Sequence, residues 1–441
     1  MKRILKWLAI AIGVVVGVPL ALLLLVNLRD EALLPEAVAY MRNDAASLPD
    51  EQNAFYYVLG FGAPLADEPH KAGRTWLAAV NQTQEQLLRG AQATWPAQPE
   101  GFPKIATTCS PDRESCIRWL KEKKPEARKL VEDNRQAIGR YRGVHAYPGY
   151  RDMTDARLFS YPLPSFSPLA SAQRLYLLDI AQRFERGELE AALAALREEI
   201  ALARRMMAGS RSLLQKMLAT AQLVRTTLFA SDVLTAHRAR IGAKAATLAE
   251  ALRPLSAEER GLAPALRSEF AMAASATDPA RWRGEDFGIG IDTMLARPFY
   301  QHHASVNLVY AFNRAWREVD NAPATELDAA FAKAKAAQPQ FSVWDLAYNP
   351  VGKVLVFINA FQPAGYFERM HDADALVRLV ALQARIVAKN VKPDAIESIN
   401  PYTGKPYGWD AKTRQLYFEP RGSYLKERKI GGAANRVAVT I

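Results

Sequence analysis

Cysteine is nearly missing from this chain. Cys109 and Cys116 are the only two in 441 residues, which excludes a cysteine-rich zinc module and a disulfide-dense scaffold. Histidine is scarce as well, at six residues, and none falls in an H-E-x-x-H or H-x-x-E-H pattern. G-x-S-x-G and Walker-type glycine loops are also missing. The local signatures of zinc proteases, serine hydrolases and P-loop nucleotide enzymes are therefore absent. Long low-complexity tracts are lacking too, and charged residues stand at 23% beside 49% apolar residues, a globular balance. No basic-aromatic nucleic-acid module occurs, so no nucleic-acid partner is expected, nor any cofactor or metal.

Long apolar runs are lacking after the first thirty residues. The stretch 351–361 is apolar, but Lys353 and Asn359 interrupt it, and it is too short to span a bilayer. The first run differs. Lys2, Arg3 and Lys6 precede Trp7 to Val26, a run without a charge, and Asn27, Leu28, Arg29 and Asp30 close it. As a helix rising ~1.5 Å per residue, this run covers ~30 Å, the thickness of a hydrocarbon core. Pro19 is tolerable in such a span. The basic end is expected in the cytoplasm, and the rest of the chain on the far side of the membrane. A cleaved signal peptide is the competing reading. It fits less well, because the run exceeds the usual apolar core of about 7–15 residues. The small-x-small triplet Ala37-Val38-Ala39 also lies well downstream.

The expectation is a mainly α protein: one N-terminal transmembrane helix, a large exported domain of αα hairpins, and a small β-rich tail. Residues 1–6 form a cytoplasmic end, 7–28 the anchor and 29–52 a linker. Residues 53–168 form a first helical region holding a disulfide loop, 169–395 a helical-hairpin region, and 396–441 a turn-rich β tail. A single-pass protein with one such anchor is a poor transporter or channel. The composition, rich in Ala and Arg, and the simple anchor suggest a bacterial inner membrane with the bulk of the chain periplasmic. The net charge is +11. Setting aside Lys2, Arg3, Lys6 and Arg29 leaves 53 basic against 46 acidic residues. That mild excess reads as solvated faces, or as attraction to anionic headgroups near the membrane.

An oxidising compartment would join the two cysteines. Ser110 and Pro111 suggest a helix from Pro111 to about Lys123, with Ser110 as its cap. Two cysteines seven apart inside one helix lie ~10 Å apart, too far to bridge. With Cys109 outside the helix, the chain can fold back, and a disulfide between Cys109 and Cys116 is expected.

Helical periods mark the middle of the chain. Leu175, Leu178, Ile180, Ala181 and Phe184 share one face before Gly187. Residues 188–207 and 212–238 follow as further helices, joined by short loops. Helices are also expected near 125–141, 244–252, 256–275, 303–318, 324–336 and 371–390. Turn residues dominate the last fifty positions, with β-prone runs at 415–418 and 437–441.

Asn400-Pro401-Tyr402-Thr403-Gly404-Lys405-Pro406-Tyr407 resembles the Asp-Pro-Phe-x-Gly-x-Pro-Tyr turn near the C-termini of pseudopilin-like and other exported bacterial proteins. The resemblance implies a β-hairpin tail and an envelope setting. It implies neither an activity nor pilus assembly, since the N-terminus has no prepilin peptidase site.

Candidate functional residues are few. His302 and His303 follow Glu285, Asp286 and Asp292 and could bind a metal or serve acid-base chemistry. Adjacent histidines diverge by ~100° on a helix, so a helix start is the plainer reading. His371-Asp372-Ala373-Asp374 resembles a helix first turn, where carboxylates suit the dipole. Phe55, Tyr56, Tyr57 and Phe61, with the later aromatics Tyr147, Tyr150, Phe159, Tyr161 and Phe166, could line a glycan or acyl groove, or pack a core. The leading expectation is an envelope scaffold or partner-binding protein. The alternatives are an envelope hydrolase or transferase and a lipid- or glycan-binding module.

Overall fold

The apolar periods become helices, and the turn-rich tail becomes a small sheet. The computed structural model describes residues 2–41, 48–106, 109–158, 160–279, 296–358, 362–428 and 435–441, without the side chains of residues 2, 3, 5, 8–12, 276 and 394. Helix α1 (Lys2–Val26) contains Pro19, and its side chains from Gly13 to Leu22 are exposed. Among the described residues no helix is long and apolar enough to cross a membrane. The expected span, 7–28, includes positions 8–12, whose side chains lie outside that description.

Within the segment expected as a polar linker, residues 35–41 pack on the folded body. Helix α2 (Pro35–Met41) buries Ala37 and Tyr40 against Phe270, Ala274, Val306 and Tyr310. The amphipathic turn that Pro35 and Pro49 flank in the sequence is this helix, with Ala37 and Tyr40, three apart, on its buried face. Next, α3 (Ala54–Leu59) crosses α4 (Pro69–Leu88) at two glycines. A Cβ on Gly73 would lie 1.9 Å from the Tyr56 carbonyl oxygen, and one on Gly60 2.0 Å from that of Pro69.

The disulfide forms as expected, with Cα atoms 5.3 Å apart. The expected helix at Pro111 does not form there. Residues 111–114 make a turn in which the N–H groups of Arg113 and Glu114 donate to the Ser110 carbonyl at 2.8 and 3.0 Å. Helix α5 (Cys116–Glu122) begins five residues later, capped by the Ser115 side chain. The Glu114 bond closes one helical turn between the two cysteines, and the turn is not continued into α5. The single helix expected near 125–141 divides at Asn134 into α6 (Lys124–Asp133) and α7 (Arg135–Gly143).

Three long helices make the centre: α8 (Ser167–Arg186), α9 (Leu189–Gly209) and α10 (Leu213–Ala236). Gly187 ends α8 in the left-handed region, φ 89°, where a β-carbon is costly. The short α11 (Arg238–Ile241) and α12 (Ala245–Ala251) follow. The helix expected over 256–275 is two helices, α13 (Ala257–Arg260) and α14 (Ala263–Ala276). Asp320 separates them by accepting the Leu262 N–H at 2.5 Å and the Ala263 N–H at 3.2 Å.

The remaining helices are α15 (His302–Ala315), α16 (Leu327–Ala336), α17 (Pro350–Ile358) and α18 (Ala364–Lys389). Helix α18 packs on α10 and α12 and starts seven residues before the expected position. Asp372 and Asp374 therefore sit in its interior, buried, and not in its first turn. Buried Phe367 and Met370 extend its apolar face upstream, and this tertiary burial overrides the capping signal. The tail forms an antiparallel sheet in the order β1 (Gly408–Asp410), β2 (Gln415–Phe418), β3 (Val437–Thr440), with α19 (Ser423–Lys426) between the last two strands. Leu416 pairs with both Trp409 and Val439.

Candidate functional site

His302 and His303 meet the end of α1. Asp30 lies just beyond that helix and caps α15 from outside it, accepting the N–H of His303 at 2.7 Å and of Ala304 at 3.1 Å. The His302 ring nitrogen Nδ1 lies 3.1 Å from the Thr277 carbonyl, and that of His303 lies 3.1 Å from the Glu31 carbonyl. Burial lowers the His302 pKa, which disfavours its cationic form. Around this cap, Asn27 donates to the Ala347 carbonyl at 2.8 Å and accepts the Asn349 N–H at 2.7 Å. Gln301 donates its side-chain amide to the Asn27 carbonyl at 2.5 Å, and the Leu34 N–H donates to Asn307 at 2.9 Å. The two histidines thus belong to a junction that fastens α1 to the body. Glu285, Asp286 and Asp292 lie outside the described residues. Among the described residues no group of three or more His, Cys, Asp or Glu stands placed to hold a metal ion.

The aromatic candidates are core. Phe55, Tyr56, Tyr57 and Phe61 are all buried. The Tyr57 hydroxyl donates to the Arg140 carbonyl at 2.7 Å, and Phe61 packs on Phe102 with ring centroids 4.9 Å apart. The Arg140 guanidinium in turn donates to the carbonyls of Ala63, Pro64 and Asp67 at 2.6 to 2.7 Å. Tyr150 and Tyr161 are buried as well, and Phe159 lies outside the described residues.

A buried polar network escaped the sequence reading. Glu199 on α9 accepts the Tyr141 hydroxyl at 2.7 Å and the Gln173 amide at 2.8 Å, and His145 Nε2 lies 3.2 Å from its other oxygen. Arg225 donates to Gln173 at 2.9 Å. These groups come from five separate elements, so no local spacing marks them. Lys216 is equally hidden, donating to the Met207 carbonyl at 2.8 Å, and burial lowers its pKa to about 8. Ser423 and Lys426 have the S-x-x-K spacing but stand exposed on the one-turn α19.

Two open clefts lie at the C-terminal sheet. One, of about 710 Å³, is walled by the disulfide loop, α10 and β3. Asp232 on α10 faces it and accepts hydrogen bonds from the Ser115 side chain and the Cys116 N–H, while burial holds its pKa up, at about 6. Arg118 and Lys121 stand on the same wall. Arg428 is ion-paired with Asp112 there. A carboxyl that titrates near pH 6 beside cations can exchange a proton with a bound anion. The second cleft, about 740 Å³, is more apolar, lined by Trp409, Tyr407, Leu416 and Ile396, with Arg238 and Arg414 also in its wall. Both volumes suit small ligands. Asp232 carried no motif, and Trp409 differs from core aromatics only by its partial exposure, so neither was visible as a site in sequence. Comparison of the chain with protein-family models, curated proteins and solved structures finds no match.

Proposed function

We propose that the chain is a single-pass inner-membrane protein of a bacterial envelope, with a short cytoplasmic end and a periplasmic helical body that acts as a scaffold or partner-binding element. The junction at Asn27 and Asp30 carries this reading. The side chains of Gln301 and Asn307 and the backbone N–H groups of His303 and Asn349, together with Asn27 and Asp30, tie the end of α1 into the body. A body fixed in this way presents the same surface at the same height above the bilayer, as a scaffold requires. The charge-free run Trp7 to Val26 supports the anchor, and the disulfide supports an oxidising compartment. The test joins reporter fusions with crosslinking. Alkaline phosphatase fused after Ile441 is expected active, and a cytoplasmic reporter there inactive. Photocrosslinkers on the body are then expected to trap the same neighbour in repeated membrane preparations. The reverse reporter pattern rejects the topology, and crosslinks only to bulk proteins reject the scaffold.

The Trp409 cleft favours a second reading, a lipid- or glycan-binding module, since a half-exposed indole beside Tyr407 suits a sugar face or an acyl chain. Titration of tryptophan emission with glycan fragments and with short-chain lipids separates this reading from the first. An envelope hydrolase or transferase would instead use Asp232, and an Asp232→Asn variant that kept any such activity would exclude it.

A further inference from the structure

We propose that residues 343–358 make a second contact with the bilayer, lying in its interfacial layer beside the point where α1 emerges; this rests on α1 being the anchor. Six of the eleven exposed large apolar side chains outside residues 1–34 fall in this stretch, among the described residues. Val343 is 81% exposed, Trp344 88%, Phe357 65% and Ile358 64%. Such clustering on a folded body marks a contact surface.

Geometry identifies the occupant. Asn27 is the first residue after α1, and it bonds the backbone on either side of Tyr348, through the Ala347 carbonyl and the Asn349 N–H. The Tyr348 hydroxyl accepts the Glu31 N–H at 3.1 Å. The stretch therefore sits level with the end of α1, where Leu25, Val26 and Leu28 are also exposed. Helix α17 has no polar outer face. Gly352, Leu355 and Val356 are buried against the body, while Val354, Phe357 and Ile358 point away from it. Its one charged residue, Lys353, turns its amine back onto the carbonyls of Asp345 and Tyr348, at 2.5 and 2.8 Å. A helix apolar on both faces needs an apolar medium on both, and lipid lies alongside. Trp344 and Tyr348 match the aromatic belt found where protein meets the headgroups.

The test uses the full chain in vesicles of phosphatidylcholine and phosphatidylglycerol. Cys109 and Cys116 are bonded to each other, so one added cysteine takes a fluorophore selectively. Labels are placed at Val15→Cys in α1, at Trp344→Cys and Phe357→Cys in the patch, and at Lys412→Cys on the β1–β2 turn. Nitroxides are carried near the headgroup or deep in the acyl chains. The patch labels should lose most of their emission to the shallow nitroxide, the Val15 label to the deep one, and the Lys412 label to neither. Quenching at Val15 with none at Trp344 and Phe357 overturns the second contact and leaves the anchor standing. No quenching at Val15 overturns the anchor itself.

Discussion

Tyr402 donates its phenol proton to Asp372 at 2.5 Å, and this bond fastens the C-terminal turn to the middle of α18. The same carboxylate accepts the N–H groups of Arg421 at 2.9 Å and Gly422 at 2.8 Å. One helix turn along, Tyr407 donates to the Ala375 carbonyl at 2.9 Å. Two segments that stood apart in sequence, His371-Asp372-Ala373-Asp374 and Asn400 to Tyr407, are thus one structural unit.

Two buried groups in this unit should tie stability to pH in opposite senses. Burial raises the Asp372 pKa from 3.8 to about 6 and lowers that of His371 from 6.5 to about 4. Between pH 4 and 6 the folded chain keeps a proton on Asp372 that the unfolded chain releases, so this group's stabilising share is lost as pH rises. His371 does the opposite: the unfolded chain takes up the proton first, so stability is lost as pH falls through the same window. At ~1.4 kcal/mol per unit, each slope is worth roughly 2–3 kcal/mol, and the two offset each other. Relative to wild type, His371→Gln should lose about 2–3 kcal/mol more between pH 4 and 6, and Asp372→Asn about that much less. Urea unfolding at several pH values measures both, and parallel curves for all three proteins would contradict the assignment.

Arg204 and Glu259 form a buried, two-pronged ion pair at 2.8 and 2.7 Å, and Glu259 also completes the capping box of α13 with Ser256. Removing one partner strands a buried charge. Glu259→Ala should cost about 3–5 kcal/mol, whereas the paired change Arg204→Met with Glu259→Leu should cost much less. Denaturant midpoints of the three chains decide this, and equal losses for single and double variants would refute it.

The junction at α1 should loosen without unfolding the body. Asp30→Ala removes a cap from α15, worth about 1 kcal/mol. Hydrogen exchange should speed up at His303 and Ala304, and protease should cut within 31–41, while α8 to α10 keep their protection. Unchanged exchange at those two amides would show that Asp30 does not hold the helix.

The disulfide closes a short ring beside the Asp232 cleft. Cys109→Ala with Cys116→Ala should lower stability by about 2 kcal/mol, since small rings constrain the unfolded chain only modestly. Reductant should produce the same drop in wild type and none in the variant, as read by chemical unfolding.

Periodic apolar faces told where the helices are, because a 3.6-residue repeat records burial locally. Gly187, for example, ends α8 with the left-handed turn that its lack of a β-carbon allows. The cysteine pairing was legible for a similar reason, since two residues seven apart constrain their own geometry. The partners of buried polar groups were not legible. Asp372 and Asp374 have the composition of a helix cap, yet Phe367 and Met370 extend the buried face and draw both into the interior. His302 and His303 suggested chemistry, but the residue that organises them is Asp30, more than 270 positions earlier.

Local sequence was enough for the helix content, the β character of the tail, the disulfide and the greasy N-terminal run. These depend on neighbours a few positions apart, whose spacing alone sets which face is buried. Folding alone decided which polar groups meet: Asn27 with Asn349, Tyr402 with Asp372, Glu199 with Tyr141. Hydrogen bonds are short-ranged and directional, so such pairs exist only once distant helices have packed.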